Sequence, residues 1–310
     1  MNNDHHSQHA NPAHTGTLSR RQLMLAGMAA AAGSLTTLSA CTTASPAAHW
    51  SLWSVEGHGG KAYVLGGTPP QAQAWHDSRI AQLLPNCSTL WVETNRVVRG
   101  NMRELVARHG MDAQTPLSQR ISTGEAQRLA QAAQAAQMRP EELAPFRPWL
   151  AALTLDNAYH AHLGHPESGS AEKVLTAMAQ KTGLAVQSEF PAQDDVMVYM
   201  GGLAAEADQQ FLSYTLDQIL ADHSANARMY SSWARGDAEL AEREVLRLKA
   251  QYPQMYASMV LGRNRNWVPR FDTMLRANKP ALAVLGFYHM AGPDSVLVQL
   301  QMQGWKVRAV

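Results

Sequence analysis

The sequence has few cysteines and no excess of charge of either sign. It contains 26 Lys and Arg against 25 Asp and Glu, and its two cysteines are Cys41 and Cys87. A balanced chain without basic runs lacks the electrostatic footprint of a nucleic-acid-binding protein. It also lacks a polybasic patch for anionic lipid. We therefore expect no nucleic-acid partner, and any membrane attachment must come from another source.

The first forty residues resemble an export signal. Residues 19–24 carry the twin-arginine pair Arg20 and Arg21, and a weakly apolar, Ala-rich run follows. Gly, Ser and Thr interrupt this run, which suits a signal peptide better than a membrane span. Residues 38–41 read Leu-Ser-Ala-Cys, the pattern of a lipobox, in which Cys41 becomes the lipidated first residue. The alternative is an ordinary apolar helix beside a chance pair of arginines.

This pattern predicts an exported lipoprotein anchored in the cell envelope and facing the periplasm. Thr42 is not an acidic retention residue, which favours the outer membrane. We divide the chain into a signal peptide (1–40), a tether (41–49) and one domain (50–310). Removal of the signal leaves 24 basic and 24 acidic residues. It also removes the His-rich start, to which we assign no metal role.

With Cys41 used for lipidation, Cys87 has no partner for an internal disulfide. The domain must then be stabilised by its hydrophobic core. We expect Cys87 to be a small buried hydrophobe rather than a reactive thiol.

Short apolar strands alternate with long helical patterns after the tether. The predicted strands are residues 61–65, 89–94, 184–190, 281–285 and, at an edge, 305–310. Helical patterns run over 122–138, which opens with capping-box spacing, from Pro140, over 206–222 and over 237–251. This order predicts an α/β fold with a central mixed or parallel sheet and long helical insertions. In such sheets the site lies at the C-terminal ends of the strands.

Three strand ends carry residues that are candidates for catalysis or binding. Glu93 closes an apolar strand, where a carboxylate costs free energy unless it is paired, hydrogen-bonded or bound to a metal. His289 follows another apolar strand next to Gly286, and Gly67 ends a third in a tight turn. Arg263 is placed to clamp a substrate carboxylate or to hold Glu93. The alternatives stay open: a water-facing carboxylate, a histidine that satisfies a loop, and a solvated basic turn.

A second group of histidines consists of His160, His162 and His165. In an extended segment, His160 and His162 would share one side, and His165 would fold back after a glycine. Such a loop would suit zinc or copper. The alternative, which we favour, is a solvent-facing loop before the next helix.

The chain resembles the TraB/GumN family, which includes the animal Tiki proteases, over nearly all of the predicted domain. The resemblance rests on the order and spacing of seven blocks: residues 52–55, 63–68, 90–93, 183–186 with Glu189, 233–237, the pair Arg263 and Asn264, and 286–294. The last block is the most specific. The resemblance implies a fold like that of erythromycin esterase and ChaN-type haem-uptake proteins, with the site at the strand ends.

The resemblance also implies a site of two Gly-x-x-His motifs and an acidic residue. In the Tiki branch this site is taken to support divalent-metal-dependent peptide cleavage, which makes Mn, Co or Zn the expected cofactor. The second motif maps onto Gly286 and His289, and the acidic residue onto Glu93. Arg263 matches a characteristic arginine of the family.

The first motif is broken in this chain. Its glycine falls on Gly67, but Pro70 stands at the histidine position. Glu93 and His289 then remain as the matched pair, and a three-ligand metal site would need a replacement. His58 and His76 flank the gap, but no spacing rule ties either to the site.

Two functions therefore stay open. One is an exported metal-dependent hydrolase of a peptide or amide bond, with Glu93 as ligand or base, His289 as ligand or proton carrier, and Arg263 as a clamp. The other is a non-catalytic binding protein that sequesters a peptide or small ligand at the envelope. Pro70 favours the second, and the retained pair favours the first. A role beside polysaccharide export is implied by the GumN name alone.

The lipobox gives a direct prediction for localisation. Cys41→Ser removes the thiol that would carry the lipid, so the protein should leave the membrane fraction after cell fractionation. Retention of the variant in that fraction would contradict the lipidation of Cys41.

Overall fold

The computed structural model describes residues 51–310, with the exception of residues 72, 96, 113 and 166. The predicted signal peptide, the tether and Cys41 lie outside the described residues. Within the described part of the chain, the helices are too short or too polar to cross a bilayer.

A six-stranded mixed sheet forms the centre of the domain, as the sequence predicts. Its strands are β1 (Leu52–Gly57), β2 (Gly60–Gly67), β3 (Thr89–Thr94), β4 (Ala185–Phe190), β5 (Ala281–Gly286) and β6 (Lys306–Ala309). They are arranged in the order β4-β3-β5-β2-β1-β6. Strands β2, β5, β3 and β4 run parallel, whereas β1 is antiparallel to both β2 and β6. The C-terminal ends of four parallel strands therefore meet at one edge of the sheet.

Five of the six strands were predicted, and β6 is an edge strand as expected. The exception is β1, which pairs with β2 as a hairpin across His58 and Gly59. Its pattern is hard to recognise because Ser54 is buried between its apolar neighbours Trp53 and Val55. A polar residue inside the core breaks the alternation that identifies a strand.

Helices surround and extend the sheet. The described residues form α1 (Ser78–Leu83), α2 (Met102–Leu105), α3 (Thr123–Ala135), α4 (Pro148–His162), α5 (Ala171–Thr182), α6 (Gln193–Gly201), α7 (Ala205–Leu220), α8 (His223–Trp233), α9 (Glu239–Gln251), α10 (Pro253–Tyr256), α11 (Arg263–Leu275), α12 (Phe287–Met290) and α13 (Val296–Met302). The predicted capping box opens α3, where Ser122 accepts from the Glu125 N–H and Glu125 accepts from the Ser122 N–H. The expectation of an α-helix from Pro140 is wrong: Pro140–Leu143 is a 3-10 turn, and α4 begins at Pro148.

A π-helical turn, Ala257–Gly262, joins α10 to α11. The two helices and this turn form one helical run from Pro253 to Leu275. The π turn ends immediately before Arg263 and Asn264, and both of these residues are buried.

The core lies on both faces of the sheet. In β5, Ala283 and Leu285 belong to one apolar cluster, while Leu282 and Val284 belong to another. A strand covered on both sides needs apolar residues at every position, which explains its continuous apolar run. Cys87 is buried in the second cluster, and burial raises the pKa of its thiol to about 11. The prediction of a small buried hydrophobe is confirmed.

Trp233 packs directly on the end of β2. Its indole Nε1 donates a hydrogen bond to the Gly66 carbonyl at 3.0 Å, and its own carbonyl accepts from Ser51 Oγ at 2.9 Å. A Cβ at residue 66 would overlap the indole ring. Gly66 is therefore needed for the close approach of this aromatic side chain to the strand.

Gly66→Ala should lower the free energy of unfolding by about 1–3 kcal/mol because the added methyl group overpacks against Trp233. Chemical denaturation measures this change. Gly124→Ala is the matched control: a Cβ at Gly124 meets no atom within 4 Å, and Ala favours the helix there. Equal stability of the two variants would contradict the packing argument.

Candidate active site

The predicted site residues meet at the C-terminal edge of the parallel strands. Glu93 lies near the end of β3, Glu189 near the end of β4, and Gly286 ends β5. His289 follows β5 in α12, and Arg263 begins α11. The sheet places the strand ends side by side, so residues far apart in sequence share one edge.

Arg263 binds two carboxylates in a buried ion network. Its Nη2 donates to Glu93 Oε2 at 2.8 Å and to Glu189 Oε2 at 2.6 Å, and its Nε lies 3.0 Å from Glu189 Oε2. Trp267 Nε1 adds a hydrogen bond of 3.1 Å to the same Glu189 oxygen. The two carboxylates raise the pKa of Arg263 against the effect of burial. Of the alternatives for Arg263, the one in which it holds Glu93 agrees with these contacts; it is not in a solvated turn.

The second oxygen of Glu93 is bound by backbone. The Gly286 N–H donates to Glu93 Oε1 at 2.5 Å, and a Cβ at residue 286 would come within 3.2 Å of that oxygen. Glycine therefore lets the carboxylate approach the end of β5. Burial alone would raise the pKa of Glu93, but Arg263, His289 and the Gly286 N–H lower it to about 2. Glu93 is ionised at neutral pH.

Asn264 sets the orientation of His289. The Asn264 Nδ2 donates to the Asp294 carbonyl at 2.8 Å, which turns its Oδ1 toward His289 Nδ1 at 2.6 Å. An amide oxygen accepts, so the imidazole must carry its proton on Nδ1. The lone pair of Nε2 is then free.

That lone pair is directed toward the site. His289 Nε2 lies 3.9 Å from Glu93 Oε2. Burial and the charge of Arg263 lower the pKa of His289 to about 4, although Glu93 opposes the shift. The site at neutral pH is a neutral imidazole beside a carboxylate, brought together as the sequence predicts.

The site opens into a large cavity of about 560 Å³. Glu93, Arg263, Gly286 and His289 form one part of its lining. Most of the remaining wall is apolar or aromatic and comes from the helical insertions. Examples are Leu153 of α4, Phe211 and Ile219 of α7, and Met255 of α10.

The implied divalent metal does not fit the donors of this site. Both Glu93 oxygens are already bound, one by a guanidinium, and His289 is the second donor. In the part of the chain that the structure describes, no three His, Cys, Asp or Glu side chains are placed to hold a metal. Pro69 and Gln71, the neighbours of Pro70, line the cavity without supplying such a donor. A catalytic metal with three protein ligands would need at least one more.

His58 and His76 do not replace the missing motif histidine. His58 Nε2 pairs with Asp272 at 2.9 Å, and neither histidine lines the cavity. His76 is exposed to solvent.

The structure contradicts both interpretations of His160, His162 and His165: the extended metal-binding loop and the solvent-facing loop that we favoured. His160 and His162 lie on α4, where two residues apart means different faces of the helix. His162 is exposed, whereas His160 and His165 line the cavity with ring centroids 5.7 Å apart. The helix continues to His162, and the Leu and Ala residues of this segment favour it.

Sequence reasoning did not find every residue of the site. Trp267 follows Arg263 by four positions on α11, so helical spacing puts both on the face that binds Glu189. That signal was available once the helix was recognised. The cavity tyrosines Tyr214, Tyr230 and Tyr288 come from separate elements, and no local pattern joins them.

The geometry defines an α/β protein with a charged site at its strand ends and an apolar cavity beside it. The chain belongs to the TraB/PrgY/gumN family, which it matches over residues 51–309. Comparisons with curated proteins and with solved structures gave no significant match. The likeness to erythromycin esterase and ChaN-type proteins stays a prediction.

The lowered pKa of His289 predicts how stability depends on pH. Between its ordinary value of 6.5 and the folded value of about 4, the unfolded chain binds a proton that the folded chain excludes. The free energy of unfolding should fall as pH drops through this window, by at most about 3 kcal/mol from His289. His289→Gln should show a shallower decline, measured by urea denaturation.

Two features make this measurement specific. The pKa of Glu93 is about 2 in the folded protein, against an ordinary value of 4.5. The stability that ionised Glu93 contributes is therefore lost only as the pH falls below 4.5, mostly outside the window. His162→Gln, which changes an exposed histidine, should keep the slope of the unchanged protein. Equal slopes for His289→Gln and the unchanged protein would show that His289 is not held neutral.

Proposed function

We propose that this protein hydrolyses a peptide or amide bond in the cavity, beside His289 and Glu93. One observation carries the proposal: a neutral imidazole with its free Nε2 lone pair 3.9 Å from an ionised carboxylate oxygen. A water on the cavity side, offset from the line between these two acceptors, can donate a hydrogen to each. Such a water is held ready to lose a proton to His289 as its oxygen attacks a carbonyl carbon.

The side chains divide the work. His289 takes the proton from water and returns it to the leaving amine, and Asn264 holds its ring in the required tautomer. Glu93 orients the water and stabilises the imidazolium that forms. Arg263 is a positioning residue, because its charge is shared by Glu93 and Glu189. A pKa of about 4 keeps the His289 lone pair free at neutral pH, at the cost of basicity.

The second candidate is a binding protein without turnover. Two observations favour it: Pro70 stands where the family motif has histidine, and the cavity of about 560 Å³ has mostly apolar walls. Such a cavity binds a ligand by burial of apolar surface whether or not a bond is cleaved. Loss of one catalytic partner with retention of the cavity is what a sequestering relative would show.

The location of the protein is part of the proposal. The twin-arginine pair and the lipobox at Cys41 support an envelope lipoprotein that faces the periplasm, at the outer membrane. This part rests on the sequence pattern alone.

Substitution of the proposed base tests catalysis. His289→Gln should lower kcat/KM by about 10²–10⁴ because general-base assistance is lost. The assay uses a panel of peptidyl p-nitroanilides, which release a chromophore when the amide bond is cleaved. His162→Gln, on the exposed face of α4, should retain full activity.

The outcomes separate the candidates. Turnover that is unchanged in His289→Gln would contradict the role of His289, and ligand binding without turnover in the unchanged protein would favour the binding protein. Metal analysis of the same samples tests the donor argument: we expect no stoichiometric Mn, Co or Zn. A stoichiometric metal that disappears in His289→Gln would restore a metal-dependent mechanism.

A further inference from the structure

The cavity has a second polar region, which the proposed hydrolysis does not use. Asp156 and His160 of α4, His165 after α4, and Gln218 of α7 line the cavity together. These residues belong to the helical insertions, not to the sheet edge that carries Glu93.

Among the described residues, Asp156 has no lysine or arginine as an ion-pair partner. His160 Nε2 is the nearest basic atom, 3.7 Å from Asp156 Oδ1. Protein atoms surround Asp156 and raise the pKa of its carboxyl, yet 46% of its side-chain surface stays accessible. The side chain is surrounded by protein and yet accessible because its carboxylate faces the interior of the cavity. A ligand in the cavity can therefore reach it.

Two buried polar atoms of this second region are acceptors. Because His160 Nε2 faces the carboxylate, its proton belongs on Nε2, and Nδ1 is an acceptor. Gln218 donates its Nε2 to Glu244 at 3.0 Å, which leaves its Oε1 as an acceptor. Both acceptor atoms are buried and have no hydrogen-bond partner among the described residues. Their lone pairs add negative potential to the cavity.

The charge of the cavity lining is also negative. The formally charged residues of the lining are Glu93, Asp156 and Arg263. Arg263 is already neutralised by Glu93 together with Glu189, so its positive charge does not balance Asp156. A carboxylate inside an apolar cavity loses hydration, which raises its pKa, and a cation bound beside it would stabilise the charged form.

Aromatic rings complete this environment. Tyr159, Tyr214, Tyr230 and Tyr288 all line the cavity. Burial, with a contribution from the Asp156 charge, raises the pKa of Tyr230 and Tyr288, so both phenols are neutral. Tyrosine faces attract organic cations and pack against apolar chains.

We infer that the Asp156 region binds the ammonium group of an organic amine, whose apolar body occupies the tyrosine-lined part of the cavity. The ammonium group forms an ion pair with the accessible Asp156 carboxylate, next to His160. The apolar body is stabilised by removal from water. This inference goes beyond the proposed hydrolysis because it concerns binding alone.

Three probes with one body and different head groups test the inference: 4-phenylbutylamine, 4-phenylbutanol and 4-phenylbutanoate. Isothermal titration calorimetry with the purified protein measures the affinity of each. The amine should bind at least about 10-fold more tightly than the alcohol, as a charge-assisted contact requires. The carboxylate should bind more weakly than the alcohol because it faces Asp156.

Variants locate the contact. Asp156→Asn keeps the shape of the side chain and removes its charge, so the amine should fall to within about 2-fold of the alcohol. Glu242→Gln removes a carboxylate from the exposed surface of α9 and should change nothing.

Several results would overturn the inference. They are no saturable binding of the amine, equal affinity for amine and alcohol, or full amine affinity in Asp156→Asn. The head-group comparison needs no variant, so it stands even if Asp156→Asn does not fold. Hydrolysis that fails while the amine binds would reject the proposed function alone, and the reverse would reject this inference alone.

Discussion

The contact of Arg263 with Glu93 and Glu189 is the constraint on which the site depends. Three charged groups are removed from most of their water, and each is stable there only while the others are present. The Gly286 N–H and the Trp267 indole satisfy further lone pairs of the two carboxylates. The network therefore fixes β3, β4, β5 and α11 relative to one another. Its electrostatic effect reaches His289, whose protonation Arg263 opposes.

The division of labour between sheet and insertions explains the composition of the cavity. The strand ends supply charged and hydrogen-bonding groups, because parallel strands terminate together there. The insertions α4, α7, α8 and α10 supply aromatic and aliphatic walls, with Asp156 as their one acidic lining residue. In the proposed function, the reacting groups and the walls that contact the ligand thus belong to different parts of the chain. Changes in the insertions can alter the ligand without moving Glu93 or His289.

The sequence predicted the sheet and much of the site for a physical reason. Apolar runs that end in Glu93 or Gly286 identify parallel strands, and the geometry of such sheets then brings their ends together. The sequence could not predict contacts between elements that are far apart in the chain, because no repeating pattern links their residues. Glu189 as the partner of Arg263 is one example, and the tyrosine-lined cavity is another. At His160 and His162 the prediction failed in a different way. Their polar, histidine-rich segment was expected to be a loop, but it continues α4.

The π turn before α11 makes this network sensitive to the number of residues and not only to their identity. Each residue of a helix rotates the next by roughly 100°. Loss of one residue from Ala257–Gly262 would swing Arg263 and Asn264 off their present directions together. The carboxylate anchor and the imidazole support would be lost in a single step. Homologues that keep this chemistry should therefore tolerate substitutions in the turn far better than insertions or deletions.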